Sequence, residues 1–211
     1  GNDLVRSDTR QRVTGHPGRF GHAVGMWAHE TNIGDDRTEY FANTGLAETA
    51  GLSEFTFEFW LFIRPGGVVN DPDPFGLGVE DDDYFRIADD THLEYHNERF
   101  EDAPLATDLL PLGTWNHIAL TWDATSLRIW LNGEVAAERR SAGPPAITFV
   151  RVGGQCDNNA NLSTGYVDEA RLSDVVRYTA PFSPPEAPFC VTDSDCTTGV
   201  CGLEGVCAAP E

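Results

Sequence analysis

Residues 54–63 read EFTFEFWLFI. Phe55, Phe57, Phe59, Leu61 and Ile63 recur at period two and share one side of an extended chain, while Glu54, Thr56 and Glu58 share the other. Trp60 and Phe62 join that second side. The pattern therefore predicts a strand with one face in a core and the other partly covered. Residues 115–138 carry the same signal twice. Ile118, Leu120 and Trp122 alternate, then Leu127, Ile129 and Leu131 do so. Asn132-Gly133 follows, the pair that supplies positive φ at both centres of a type I′ turn, and 134–138 returns as the partner strand.

Outward from these two stretches, short strands are predicted at 22–27, 38–42, 75–80, 83–88, 91–96, 147–152 and 165–172. Pro65-Gly66-Gly67, Asp89-Asp90, Gly113, Gly143-Pro144-Pro145 and Gly153-Gly154 separate them. Many short strands at this spacing predict an all-β antiparallel sandwich. The best helical candidate is a turn at 173–177, with Ser173 as its N-cap. Pro181, Pro184, Pro185 and Pro188 mark a boundary, because proline stiffens the chain and interrupts sheet pairing. The organisation read from this is an N-terminal extension with a candidate first strand at 1–17, a sandwich at 18–180, a proline-rich linker at 181–189 and a Cys-rich tail at 190–211.

In that tail Cys190, Cys196, Cys201 and Cys207 are spaced C-x5-C-x4-C-x5-C. So short a piece builds no core of its own, which makes cross-links its expected stabiliser. The spacing lacks the C-x2-C pairs of structural zinc sites. Two disulfides are expected, and with them an oxidising, extracellular setting. Three pairings are open, the interlocked Cys190–Cys201 with Cys196–Cys207 among them. Cys156 is the odd cysteine and reads as a free or buried thiol, a bridge to another chain being the alternative.

The chain has 14 basic residues, all arginine, against 34 acidic ones, a formal charge of −20. A nucleic-acid partner needs a basic patch to displace counterions, and none is visible. Without lysine, Schiff-base chemistry and the phosphate-loop lysine are excluded. No apolar run reaches the length needed to insert in a membrane, and no charged-then-apolar leader opens the chain, which reads as a mature or excised segment. More than half of the charge lies in 65–110, which contains Asp71, Asp73, Glu80-Asp81-Asp82-Asp83 and Asp89-Asp90. Such a cluster is either solvated or neutralised by a cation.

Signs of catalysis are few. A retaining glucanase needs two carboxylates about 5–5.5 Å apart. Glu54 and Glu58 share a strand side, but Thr56 stands between them, and the adjacent Asp168-Glu169 would point to opposite faces. No G-x-S-x-G elbow occurs. His92, Glu94 and His96 alternate on one predicted strand, either as metal ligands or as an ordinary polar face. Trp60 and Trp130 lie opposite the inward sides of their strands, where they would either stack on sugar rings or be covered by a neighbouring segment. Asn161-Leu162-Ser163 matches the glycosylation sequon.

Five strings then share an order: GRFGHAV (18–24), LSEFTFEFWLFIRP (52–65), GTWNHIALTWDATSLRIWLNGEVAAE (113–138), VGG (152–154) and GYVDEARLSDVVRYTAPFSPPEAPF (165–189). In this order the chain resembles laminin G-like domains of the concanavalin A-like lectin/glucanase superfamily, in their bacterial and phage form with pentraxin-like features. The tail resembles the Cys-rich repeats of secreted or surface proteins. The resemblance implies a two-sheet antiparallel jelly roll that binds a glycan or an extracellular protein ligand without catalysis, often with calcium. It implies calcium ligands from two loops. Gln155 and Asp157 match ligand positions in the second, with Cys156 where the family can carry a third oxygen ligand. Asn70, Asp71 and Asp73 are the matches in the first. Calcium takes six to eight oxygens, which such a set suits. A structural or adhesion domain of a larger surface protein is the alternative, and a glycosidase-like enzyme the third reading.

Overall fold

A computed structural model describes residues 5–6, 16–26, 41–44, 52–66, 75–78, 84–88, 92–97, 104–107, 109–141, 143–144, 147, 149–152, 165–190, 196, 199–202 and 206–209. Two seven-stranded sheets form the body. Sheet I runs β1 (Val5–Arg6), β4 (Phe41–Thr44), β13 (Phe149–Val152), β6 (Phe75–Gly78), β7 (Tyr84–Ala88), β8 (His92–His96), β9 (Leu105–Ala106). Sheet II runs β12 (Glu134–Arg140), β11 (Ser126–Leu131), β10 (Trp115–Trp122), β5 (Phe55–Ile63), β14 (Gly165–Ser173), β3 (His22–Met26), β2 (His16–Pro17). The neighbouring strands pair antiparallel throughout. The expected all-β sandwich is the fold.

The period-two pattern of β5 works as its spacing requires. Phe55, Phe57, Phe59, Leu61 and Ile63 enter the core, where they meet Ile118, Leu120 and Trp122 of β10 and Leu127 and Ile129 of β11. Sheet I contributes Phe85, Ile87, Leu93, Tyr95 and Leu105. Rings join the layers, Phe59 to Phe85 at 5.6 Å and Tyr95 to Trp122 at 6.3 Å. Each such side chain contributes about 1.5–3 kcal/mol on burial. Asn132 (φ 52°) and Gly133 (φ 87°) take the left-handed pair that closes the β11–β12 hairpin.

The expected turn of helix at 173–177 is absent, and there is no helix among the described residues. Ser173 ends β14, and the chain bends at 174–175, where Thr56 ties it down. The Thr56 hydroxyl donates to the Val175 carbonyl at 2.7 Å and accepts from the Arg177 amide at 2.9 Å. Residues 174–190 then lie against the outer face of sheet II as a closing strap. The stretch read as a linker is therefore packed: the Phe182 amide donates to the Gly133 carbonyl at 3.0 Å. Its prolines leave it outside the sheet ladders without keeping it off the sheet. Beyond it, Cys190 pairs with Cys201 and Cys196 with Cys207. β15 (Val200–Cys201) and β16 (Cys207–Ala208) form a small ladder, and Phe189 bridges to Val206.

Candidate functional site

The outer face of sheet II is divided into a sealed centre and a half-buried end. At the centre Glu58 is 0% exposed. Its Oε1 accepts from Arg171 at 2.7 and 3.0 Å, and its Oε2 accepts from the Tyr178 hydroxyl at 2.7 Å. His117 Nε2 lies 3.2 Å from the same Oε2, and Arg177 is 3.7 Å from Oε1. An ionised carboxylate only accepts, so Nε2 of His117 carries the proton in this contact. Burial alone would raise the Glu58 pKa. The His117 hydrogen bond, the Arg171 charge and the Tyr178 hydroxyl outweigh it and hold the carboxyl below its ordinary value. On Tyr178, burial and the Glu58 charge push the phenol up. Two buried ring nitrogens beside Glu58, Trp60 Nε1 and His117 Nδ1, have no partner among the described residues.

The strap does the sealing. Tyr178 and Phe182 stack at 3.5 Å and 4°. Phe182 stands edge-on to His117 and Trp130, each at 5.7 Å. Trp130 is 0% exposed and donates Nε1–H to the Thr121 hydroxyl. Trp60, 5% exposed, lies under Phe20 and the Arg19 guanidinium, 4.9 Å from its ring. Of the two readings of these tryptophans, the structure has the covered one.

A bulge in β14 positions Asp168 and Glu169. Asp168 pairs with Trp60 and Arg171 with Glu58, which leaves one residue more on β14 than on β5 between those pairs. Glu169 takes φ 51°, the left-handed region. Asp168 then accepts from the Phe20 amide and Glu169 from the Phe189 amide, so both carboxylates tie covering segments to the sheet. Burial, offset in part by that Phe189 amide, raises the Glu169 pKa.

At the end of the same face one cross-strand row stays half-buried. Trp115 pairs with Phe62, Phe62 with Tyr166, and Tyr166 with Gly25. The rings touch, Phe62 to Trp115 at 5.6 Å and 58°, and Phe62 to Tyr166 at 5.8 Å and 47°. The Arg64 guanidinium lies 5.2 Å from the Tyr166 ring and donates to its hydroxyl. No element of this row was singled out from sequence. The alternation of β5 shows that Phe62 faces away from the core, but only register reveals its neighbours.

Sheet I carries a second cluster on its outward face. Tyr84 and His96 stack at 4.6 Å and 12°. Arg86 donates to the Tyr84 hydroxyl at 2.8 Å and pairs across the strands with Glu94, whose Oε2 lies 2.9 Å from His96 Nε2. His92, Glu94 and His96 do share this face, as their alternation implied. Their ligand atoms do not converge: among the described residues the only three that do belong to Cys190, Cys196 and Cys207, all in disulfides. The calcium-ligand positions Asn70, Asp71, Asp73, Gln155 and Asp157 lie outside the described residues, as do Cys156 and Asn161.

Similar folds occur in solved structures. Trypanosoma rangeli sialidase in complex with 2,3-difluoro-KDN matches with a TM-score of 0.51 and 14% identity, over 66% of this chain and 24% of that one. The binding domain of botulinum neurotoxin DC in complex with SialylT gives 0.53 and 11%, over 74% and 39%. A heptameric SAP-like pentraxin from Limulus polyphemus gives 0.48 and 13%, over 62% and 68%. The chain thus spans about a quarter to two fifths of the first two. No curated protein matches it in sequence. The Laminin_G_3 family model, of the concanavalin A-like lectin/glucanases superfamily, matches residues 34–180. That match takes in well over half of the 211 residues, and the chain belongs to this family.

Proposed function

We propose that the chain is a non-catalytic, extracellular glycan-binding module. The observation that carries this reading is the group Arg86, Glu94 and His96, side by side and half-buried on the outward face of sheet I. Guanidinium, imidazole and carboxylate groups match a sugar's hydroxyls as donors and acceptors, and Tyr84, 6% exposed with His96 and Arg86 over its ring, supports them. The lectin-like fold and a neighbour of the same fold that holds SialylT support it. Glu58, the carboxylate most favourably placed on β5 for hydrolysis, is sealed beneath Tyr178, which favours binding over catalysis. Two disulfides favour an oxidising compartment.

Calcium belongs to the same proposal, with Asn70, Asp71, Asp73, Gln155 and Asp157 as ligands. In support, Ile63 pairs with Gly165, so the segment leaving β5 and the one entering β14 start from adjacent strands at one end of sheet II. A ligand that binds only the native state raises its melting temperature. Millimolar calcium should therefore raise Tm and EDTA reverse the rise; an unchanged Tm removes calcium from the proposal.

A glycan array probed with and without EDTA tests the main reading. Binding to a defined set of glycans is expected, weakened by Arg86→Ala or His96→Ala, and a blank array in both conditions overturns it. The cystine tail, bridged to the strap through Phe189 and Val206, favours a structural or adhesion module as the second reading. A blank array would leave that reading standing.

A further inference from the structure

We infer that the cystine tail is a redox-controlled clasp: its two disulfides, acting through Phe189, hold the strap closed over the outer face of sheet II. The clasp is independent of what the chain binds. The strap runs into the tail at 188–190, and the tail grips three successive residues there. The Pro188 carbonyl accepts from the Cys207 amide at 2.9 Å. Phe189 bridges to Val206. Cys190, 8% exposed, is bonded to Cys201. Cys207 pairs with Cys201 across the small ladder, and the second disulfide joins it to Cys196.

Phe189 grips the sheet on its other side. Its amide donates to Glu169, in the bulge of β14, and its ring lies 3.8 Å from the Arg171 guanidinium. That guanidinium donates to Oε1 of Glu58 at 2.7 and 3.0 Å. Phe189 thus stands between a cross-linked frame and the buried carboxylate that also holds Tyr178. Tyr178 stacks on Phe182, and Phe182 packs edge-on to His117 and Trp130. The grip runs link by link from the disulfides to the rings that seal the face.

A frame of two short paired strands does not hold itself, because an isolated two-stranded ribbon is marginal in water. With so little core, the order of the tail depends on its cross-links. Opening them costs Phe189 its frame. The chemistry is thiol–disulfide exchange. One thiolate of a dithiol attacks a cystine sulfur, its second thiol breaks the mixed disulfide, and the dithiol leaves as a cyclic disulfide. Two electrons and two protons pass to each cystine. The reverse step, which closes the clasp, passes them to a disulfide oxidant such as oxidised glutathione. The strap is therefore loosened in a reducing compartment and locked in an oxidising one.

The test compares the full chain, oxidised and reduced with dithiothreitol, in the wild type and in Phe189→Ala. Reduction should lower the wild-type Tm by about 5 °C or more. It should also raise acrylamide quenching, because Trp130 loses its cover, and Trp130→Phe should remove most of that rise. Oxidised Phe189→Ala should melt below the oxidised wild type, and reduction should then move its Tm much less. Phe189→Leu keeps apolar bulk and loses the ring beside Arg171. It should fall between the two, and it carries the comparison if Phe189→Ala does not fold. A reduced wild type with unchanged Tm and quenching overturns the clasp and makes the tail an independent appendage. An equal drop on reduction in the wild type and the Phe189 variants also overturns it, since the disulfides then act without Phe189.

Discussion

Replacing Glu58 by Ala leaves Arg171, Tyr178 and His117 facing one another with no acceptor between them. Removing one partner of a buried ionic cluster costs about 3–5 kcal/mol. Urea unfolding of Glu58→Ala should show a loss of that size, with Glu58→Gln losing less because it keeps the shape and one acceptor. The pH dependence follows from the direction of each shift. The Glu58 pKa is lowered in the fold, so its contribution is complete above its ordinary value of 4.5 and disappears as pH falls through the lower folded value. Glu169 is raised, so its contribution runs the other way, complete below 4.5 and lost as pH rises through its folded value. Melting temperature against pH should therefore fall more steeply on the acid side in the wild type than in Glu58→Gln. Equal slopes would remove Glu58 from the acid transition. The alternation in EFTFEFWLFI told which side Glu58 faces. It could not tell that the side is sealed, because Arg171, Tyr178 and Arg177 arrive from a strand and a strap more than a hundred residues away.

At the scale of elements, two turns and the strap hold sheet II together. In the β10–β11 turn Asp123 accepts from the Thr125 amide and hydroxyl, both at 2.7 Å, and from the Ser126 amide at 2.9 Å. Burial opposes ionisation there, but the Thr125 and Ser126 donors win and bring the pKa from 3.8 to about 2. The stability it contributes is present above pH 3.8 and lost between there and about 2. Asp123→Ala should cost about 1–2 kcal/mol near neutrality and little at the acid end of that window. In the β11–β12 turn a Cβ on Gly133 would sit 1.9 Å from the Phe182 carbonyl oxygen. Gly133→Ala should therefore cost more than the roughly 1–2 kcal/mol of a left-handed L-residue, since it also dislodges the strap. The Asn-Gly turn was fully legible in sequence because its signal is local. The strap was not: its four prolines read as a spacer, and its anchors (the Gly133 carbonyl, Thr56 and Glu169) belong to distant segments. A chain ending at residue 180, where the family match ends, should melt well below the full chain, because Trp130 and His117 lose Phe182.

The whole molecule carries its charge of −20 with more than half of it in 65–110. Like charges on a compact chain repel, and salt screens them over a Debye length of about 10 Å at 0.1 M. Raising the salt from 20 to 200 mM should raise Tm, and a fall would show that attractive pairs such as Arg19–Glu186 outweigh the repulsion. The sequence by itself determined the two-faced strands, the hairpin and the cystine tail, because each follows from local periodicity, local turn chemistry or cysteine spacing. Tertiary structure alone decided which outward side chains are sealed and which stay half-buried. Trp60 and Trp130 look as available in the sequence as Trp115. What separates them is where the strap and the β2–β3 turn come to rest, and that depends on cross-strand register and on the bulge at Asp168. Those pairings join residues far apart in the chain, so no window of sequence contains both partners.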